Sequence, residues 1–380
     1  MARTKLRRLA PLGLALAGLV AALLVFVKLR YGGGRPYPDV STEPLVPAGR
    51  VEVLVEHPLP LGNVTVSRRG RVFYNTHPFT NSHRFTDAFV FELVEGKPRP
   101  YPDLAAQGDL KFIFGMTVDA LDRLWLIAPA TLDRARTRLI AYDLASGRRV
   151  VDHEFEPGVA RFSQDLRVSP DGQTIYLADT GAFRFTAASI LVVDVAGWGV
   201  RTRLAGHPST QPQDWVIRTA HGPHRVGYGL LTFSVGVDGI ALSPDGAWLY
   251  YATMSHDTLY RVRTEHLRDP ALGDEALAAK VERVGPKPLS DGIEIAADGS
   301  VLVTDVENGG VARLDPAGGL RTLARRPEVV WADGVAVAPD GAVLFTDSAI
   351  PAYIDQLLRP PARERMAAGA PYRLYRVRTP

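Results

Sequence analysis

From Asp238 to Ala252 the chain reads DGIALSPDGAWLYYA: apolar and polar positions alternate, a Pro-Asp-Gly turn intervenes, and the alternation resumes. Alternation of period two on both sides of a tight turn predicts a hairpin whose strands each bury one face. The pattern recurs as GNVTVSRRGRVFYN from Gly62, FGMTVDALDRLWLI from Phe114, QDLRVSPDGQTIYLA from Gln164, DGIEIAADGSVLVTD from Asp291 and DGVAVAPDGAVLFTD from Asp333. The copies begin roughly 40 to 75 residues apart, the spacing of repeats that each supply one propeller blade. Further strand-like runs, AFVFELV, RLIAYDL, SILVVDV and TLYRVRT, lie in the intervals and bring each unit to four strands. A four-stranded sheet cannot bury both faces alone, and six of them standing around an axis can. The expected fold is therefore all-β, a six-bladed β-propeller of four-stranded antiparallel blades over residues 50–380, preceded by one N-terminal hydrophobic helix. The run RVEVLVEH from Arg50 has no blade of its own and is expected to close the ring beside YRLYRVR near the C-terminus.

A different pattern opens the chain. Leu9 to Val27, LAPLGLALAGLVAALLVFV, carries no charge and is long enough to cross a bilayer core as a helix. It ends VFVKLR, without the small residues a signal peptidase needs, which favours an uncleaved anchor over a signal segment in residues 1–30. Four basic residues precede the run and two follow it, so the charge bias places the rest of the chain outside the cytoplasm. The protein is expected to be extracytoplasmic, periplasmic or at the cell surface, or secreted if the segment is cleaved. Residues 31–49, beginning YGGGRPYPDVSTEP, read as a flexible tether.

Charge and cysteine content narrow the function classes. The formal net charge is +3, and Arg3, Lys5, Arg7, Arg8, Lys28 and Arg30 around the apolar run account for +6, which leaves about −3 for the remainder. A slightly acidic body with no basic cluster argues against a nucleic-acid partner. With no cysteine there is no disulfide framework, thiolate metal site or cysteine nucleophile. No phosphate loop, nucleophile elbow or metalloprotease helix motif is present, and nothing calls for an organic cofactor.

Taken in order, FGMTVDALDRLW, QDLRVSPDGQTIYLADTG, VGVDGIALSPDG followed by YY, SDGIEIAADGSVLVTDVENGGV and the closing PYRLYRVR resemble the major royal jelly and yellow protein family. The resemblance runs over residues 50–380. It implies a six-bladed propeller, and it implies less about chemistry, because some insect members convert dopachrome and others have no known reaction. The blade grammar is also similar to the gluconolactonase and senescence-marker group, which holds a divalent cation at the channel mouth. By that likeness Asp238 and Asp291 stand where the group places Asn and Asp metal ligands. Gln164 stands where it has Asn, and Asn63 is the nearest oxygen donor to its first-blade Glu.

Strand parity sorts the polar residues between the two ends of such a blade. The loops entering the innermost strands carry Asn63, Gln164, Asp165, Asp238, Asp291 and Asp333. Those following the second strands carry His77, His256, Asp305, Glu307 and Asn308, and both sets fall at one mouth. Oxygen donors without cysteine suit a hard cation, Ca²⁺ or Mg²⁺. Two readings follow. In the first, Asp238 and Asp291 hold a cation that polarises a carbonyl, with Asp165 or His256 as general base, which makes the protein a lactone hydrolase or a dopachrome-type tautomerase. In the second, the mouth binds a small molecule without turnover, through Asn63, Gln164, Asp333, His77, Asp305, Glu307 and Asn308. The bland alternative is that an Asp before Gly merely caps its own turn. A long insertion between the third and fourth blades, with Trp215, Arg218, His221, His224 and Arg225, is placed to cover the mouth.

Overall fold

The computed structural model describes residues 2–80, 82–353 and 363–379. Residue 1 of the expected N-terminal segment, and residues 81, 354–362 and 380 of the expected propeller range, lie outside the described residues.

Six four-stranded antiparallel sheets stand around a common axis. Their innermost strands are Leu61–Val66, Met116–Val118, Ser163–Val168, Val237–Leu242, Ile293–Ile295 and Ala332–Val337, which define blades 1 to 6. Five blades are continuous in sequence. The sixth is closed by Val51–His57, which pairs antiparallel with Tyr372–Val377 from Val51↔Val377 to His57↔Tyr372, as the unassigned early strand requires. Both chain ends thus share one sheet, and the ring has no open edge there.

The blades bury their faces against one another. Trp125 and Ile127 of blade 2 pack with Leu166, Val168 and Leu177 of blade 3, all nearly or fully buried. Phe345 and Tyr375 of blade 6 stack at 4.9 Å in the layer shared with Val311 and Leu323 of blade 5. The alternation seen in sequence is this packing: one face of each strand meets each neighbouring blade.

The N-terminal helix, Ala2–Tyr31, is 30 residues long, and its stretch from Leu14 is exposed throughout its apolar length. The segment after it corrects an expectation, because residues 35–46 are not a free tether. Arg35–Pro36 pairs in parallel with Trp215–Val216 of the insertion. The Tyr37 hydroxyl donates to the Lys287 carbonyl at 2.7 Å. Leu45 and Val46 donate to the carbonyls of Thr322 and Leu323 at 3.0 and 2.9 Å, and Val46 is buried. The cause is the outer edge of blade 5, Leu320–Arg325, whose unpaired backbone groups capture the passing chain.

Candidate ligand pocket at the channel mouth

At the mouth the inner strands approach one another closely, and glycine makes this possible. A Cβ on Gly239 would lie 2.6 Å from the Asp291 carbonyl oxygen, one on Gly292 would lie 2.7 Å from that of Asp333, and one on Gly334 would lie 2.7 Å from the Asn63 Cα. The Gly of each Asp-Gly pair therefore serves the contact to the next blade. The residue before it is set free by a bulge. Pairing skips Asp238 between Val237 and Gly239, skips Gln164 between Ser163 and Asp165, skips Gly62 and Asn63 in blade 1, and skips Asp333 and Gly334 in blade 6. A bulge leaves its extra residue unpaired and re-aims the side chain; here the released side chains turn into the channel.

They form the floor of a cavity of about 640 Å³. Asn63, His77, Gln164, Asp165, Asp238, Asp291 and Asp333 all line it. Asp165, Asp238 and Asp333 are buried. Asp165 is fully committed: Oδ1 accepts from Leu166 N at 2.8 Å and from Arg167 at 2.9 Å, and Oδ2 accepts from Ile240 N of the next blade at 3.1 Å. A carboxylate so tied is a structural brace and not the free general base expected of it. Asp291 Oδ2 accepts from the Trp331 indole at 2.7 Å. Asp238 Oδ2 and Asp333 Oδ2, by contrast, have no hydrogen-bond partner among the described residues. This departs from the turn-capping alternative at the two positions where it matters.

Burial dominates the electrostatics. It holds the Asp238 carboxyl well above the usual range, with the charges of Asp291, Asp165 and Asp333 acting in the same direction. Asp333 is raised in the same way, by burial and then by Asp291. Asp291 is pushed up to about 7 by burial and by Asp165, against the Trp331 bond. Arg167 offsets Asp165, and among the described residues no Lys or Arg side chain is bonded to Asp238, Asp291 or Asp333. His77 Nε2 lies 3.5 Å from Asp333 Oδ2, but burial pulls its pKa down to about 3, so the ring is neutral and the contact is no ion pair. Its Nδ1 accepts from Phe79 N at 3.2 Å, which leaves the proton on Nε2.

The loops following the second strands line the cavity in blades 1, 2, 3, 4 and 6, but not every expected residue on such a loop reaches it. His256 packs on the Tyr260 ring, its Nδ1 accepts from Thr258 N at 3.1 Å, and burial lowers its pKa to about 4; it does not line the cavity, so its assignment as general base is withdrawn. Asp305 accepts from Glu307 N and Asn308 N at 3.2 and 3.0 Å within its own turn, and Glu307 accepts from Arg218 N of the insertion at 2.7 Å. Asp305, Glu307 and Asn308 thus organise the rim outside the cavity and do not contact its interior. In blade 1 the loop containing the Pro78–Thr80 turn brings both His77 and Phe79 to the lining.

Aromatic residues make the walls, and sequence reasoning passed them over: Phe79, Phe114, Phe162, Phe183, Phe233 and Tyr353. Most lie within a few positions of a mouth residue, Phe79 after His77, Phe162 before Gln164 and Phe233 before Asp238, and that proximity was the available signal. The insertion supplies Phe233 and Val235 to the wall, and its His224 is buried edge-on against Trp331 at 5.5 Å.

By type the donors suit a hard cation; by placement they do not close on one. Asp165 and Asp291 spend oxygens on protein donors, and among the described residues no three His, Asp or Glu side chains are grouped to hold a metal ion.

Fold and cavity together define a six-bladed propeller with an aromatic-walled cavity at one mouth of its channel. The chain belongs to the major royal jelly protein family, whose pattern it matches over residues 113–337. Among curated proteins, none matches the sequence. Among solved structures it is similar to a gluconolactonase from Xanthomonas campestris, with 16% identity, 87% of this chain and 89% of that chain covered, and a TM-score of 0.53. It is also similar to a luciferin-regenerating enzyme, with 10% identity, 86% and 94% covered, and a TM-score of 0.52. At such identities the likeness is one of fold.

Proposed function

We propose that this chain is a membrane-anchored, extracytoplasmic propeller that binds a small ligand at the channel mouth, and that the ligand carries a positive charge on a largely apolar body. The observation that carries this reading is a pair of buried oxygens that make no hydrogen bond among the described residues, Asp238 Oδ2 and Asp333 Oδ2, the latter 3.5 Å from the neutral His77 ring, in an aromatic-walled cavity of about 640 Å³. An unpaired buried carboxylate is unfavourable, and an ammonium group placed between two of them supplies both charge and donors. The volume is that of sites for drug-sized ligands, and the rings of Phe79, Phe162 and Phe233 offer faces to an apolar body or to the cation itself.

The test is calorimetric titration of the full chain in mild detergent with an arylalkylamine, its neutral alcohol isostere, Ca²⁺ and Mg²⁺. The amine is expected to bind and the alcohol to bind at least ten-fold more weakly, a gap of about 1.4 kcal/mol. Binding releases protons near pH 7, because the cation favours the ionised form of carboxyls that burial keeps protonated. Asp238→Asn with Asp333→Asn abolishes the preference. Equal affinity for amine and alcohol refutes the reading, and a response to Ca²⁺ alone replaces it with the metal site expected from sequence. The hydrolase alternative is supported by the gluconolactonase-like architecture and is weakened by the commitment of Asp165; lactone and quinone turnover by the same preparation decides it.

A further inference from the structure

The N-terminal helix does not stand clear of the propeller, and the side on which it docks has a consequence for the pocket. The Lys28 ammonium donates to the Gly229 carbonyl, and the Arg225 guanidinium donates to the Gly32 carbonyl. The Thr232 hydroxyl donates to the Gly33 carbonyl at 2.5 Å, and the Tyr31 and Phe185 rings meet at 4.6 Å. Each propeller partner belongs to a mouth-side loop, either the insertion before blade 4 or the loop following the second strand of blade 3. The same two loops send Phe233 and Phe183 into the cavity wall.

Depth along the helix then places the rim. The charge-free run ends at Val27, and Lys28, the first charge after it, is already bonded to Gly229. Tyr31 follows three residues later, about 4.5 Å farther along the helix axis. If Leu9 to Val27 fills the bilayer core, Gly229 and Phe185 lie within the headgroup layer. The side chains there suit it: Tyr228 is 80% exposed and Phe185 50% exposed, and across the mouth Leu132 of blade 2 is fully exposed. Exposed aromatic rings at this depth are the usual anchors of a membrane interface. Leu121, at the opposite end of blade 2, lies in the Asp119–Asp122 turn, away from the helix.

We infer that the propeller lies mouth-down on the bilayer that its own helix spans, with the insertion and the blade 2 and blade 3 loops seated in the headgroup layer of a lipid surface. This rests on the anchor reading above and adds the orientation. It also fits the proposed ligand, since an apolar body with a positive charge collects at an anionic interface.

The chain has no cysteine, so single Leu19→Cys, Leu132→Cys and Leu121→Cys variants of the full protein can each carry one environment-sensitive fluorophore. They are reconstituted in phosphatidylcholine–phosphatidylglycerol vesicles containing lipids spin-labelled either mid-chain or at the headgroup. The expected result is loss of Leu19→Cys fluorescence with the mid-chain label, loss of Leu132→Cys fluorescence with the headgroup label, and no loss at Leu121→Cys with either. Quenching at Leu19→Cys with none at Leu132→Cys overturns the orientation and leaves the anchor standing. No quenching at Leu19→Cys shows that the helix is not in the bilayer, and both statements fall.

Discussion

Replacing Asp291 by Asn should make the protein more stable, and only above a particular pH. Asp291 is pushed up to about 7 by burial and by Asp165, against an ordinary value near 3.8. Below pH 4 the carboxyl is protonated in both the folded and unfolded chain and contributes no pH dependence. Between pH 4 and 7 the unfolded chain ionises while the folded chain does not, so unfolding becomes easier by about 1.4 kcal/mol per pH unit. Over that window the loss from this one group is about 4 kcal/mol, and above pH 7 it stays constant. Asn removes it while its side-chain oxygen still accepts from Trp331, so the packing of the indole is kept. Asp238 and Asp333 feel the Asp291 charge, and losing it eases their ionisation, which acts in the same direction. With an unfolding entropy of about 2.1 cal/mol/K per residue, 4 kcal/mol corresponds to a Tm rise of about 6 °C at pH 8 and close to none at pH 4. Thermal unfolding of both proteins in detergent across pH 4 to 8, followed by circular dichroism, reads this directly. A gap between variant and wild type that is the same at both ends refutes the reasoning.

Two further perturbations test the frame around the pocket. Gly239→Ala puts a Cβ 2.6 Å from the Asp291 carbonyl oxygen, a backbone atom that cannot swing aside, so it should destabilise by about 1 to 3 kcal/mol in urea unfolding, whereas Gly49→Ala, with open space around it, should be near neutral. Arg167→Met removes the guanidinium that bonds Asp165 at 2.9 Å and faces Glu294 at 3.4 Å; the loss should be about 3 kcal/mol at pH 8 and should shrink as pH falls, because burial holds both carboxyls above their usual range, and a pH-independent loss would assign Arg167 a packing role alone.

The blades and the inner ring were legible because a repeat carries its own phase. Once DGIALSPDG and DGIEIAADG align, strand alternation dictates which end of the blade holds each Asp, and Asp238, Asp291 and Asp333 indeed meet at one floor. What alignment lacks is the course of each loop. Asp305, Glu307, Asn308 and His256 have the right end of the blade, but each finds partners in its own loop or a neighbour's. The aromatic walls were illegible for a related reason, since the inward course of a loop such as Pro78–Thr80 is set by the blades beside it and not by its own residues. The segment of residues 31–49 read as a tether from its glycines and prolines, because the edge strand that captures Leu45 and Val46 lies almost 280 residues later in the chain, a number close to the 280 that separate Thr42 from its partner Thr322.

The acidic floor is the part of the molecule that fold stability alone does not account for. Close approach of the blades needs the glycines and the bulges, but it does not need a carboxylate on every released position; Asn63 and Gln164 occupy equivalent places without a charge. Nor does the fold need Asp238 Oδ2 and Asp333 Oδ2 to lack partners, when Asp165 at the same mouth makes bonds to Leu166, Arg167 and Ile240. Buried acids without partners lower stability at neutral pH, and they become favourable only when a positive group enters the cavity between them. The floor is thus arranged so that binding, and not folding, satisfies it, which is why neutralising its acids should raise the melting temperature and weaken the preference for a cation.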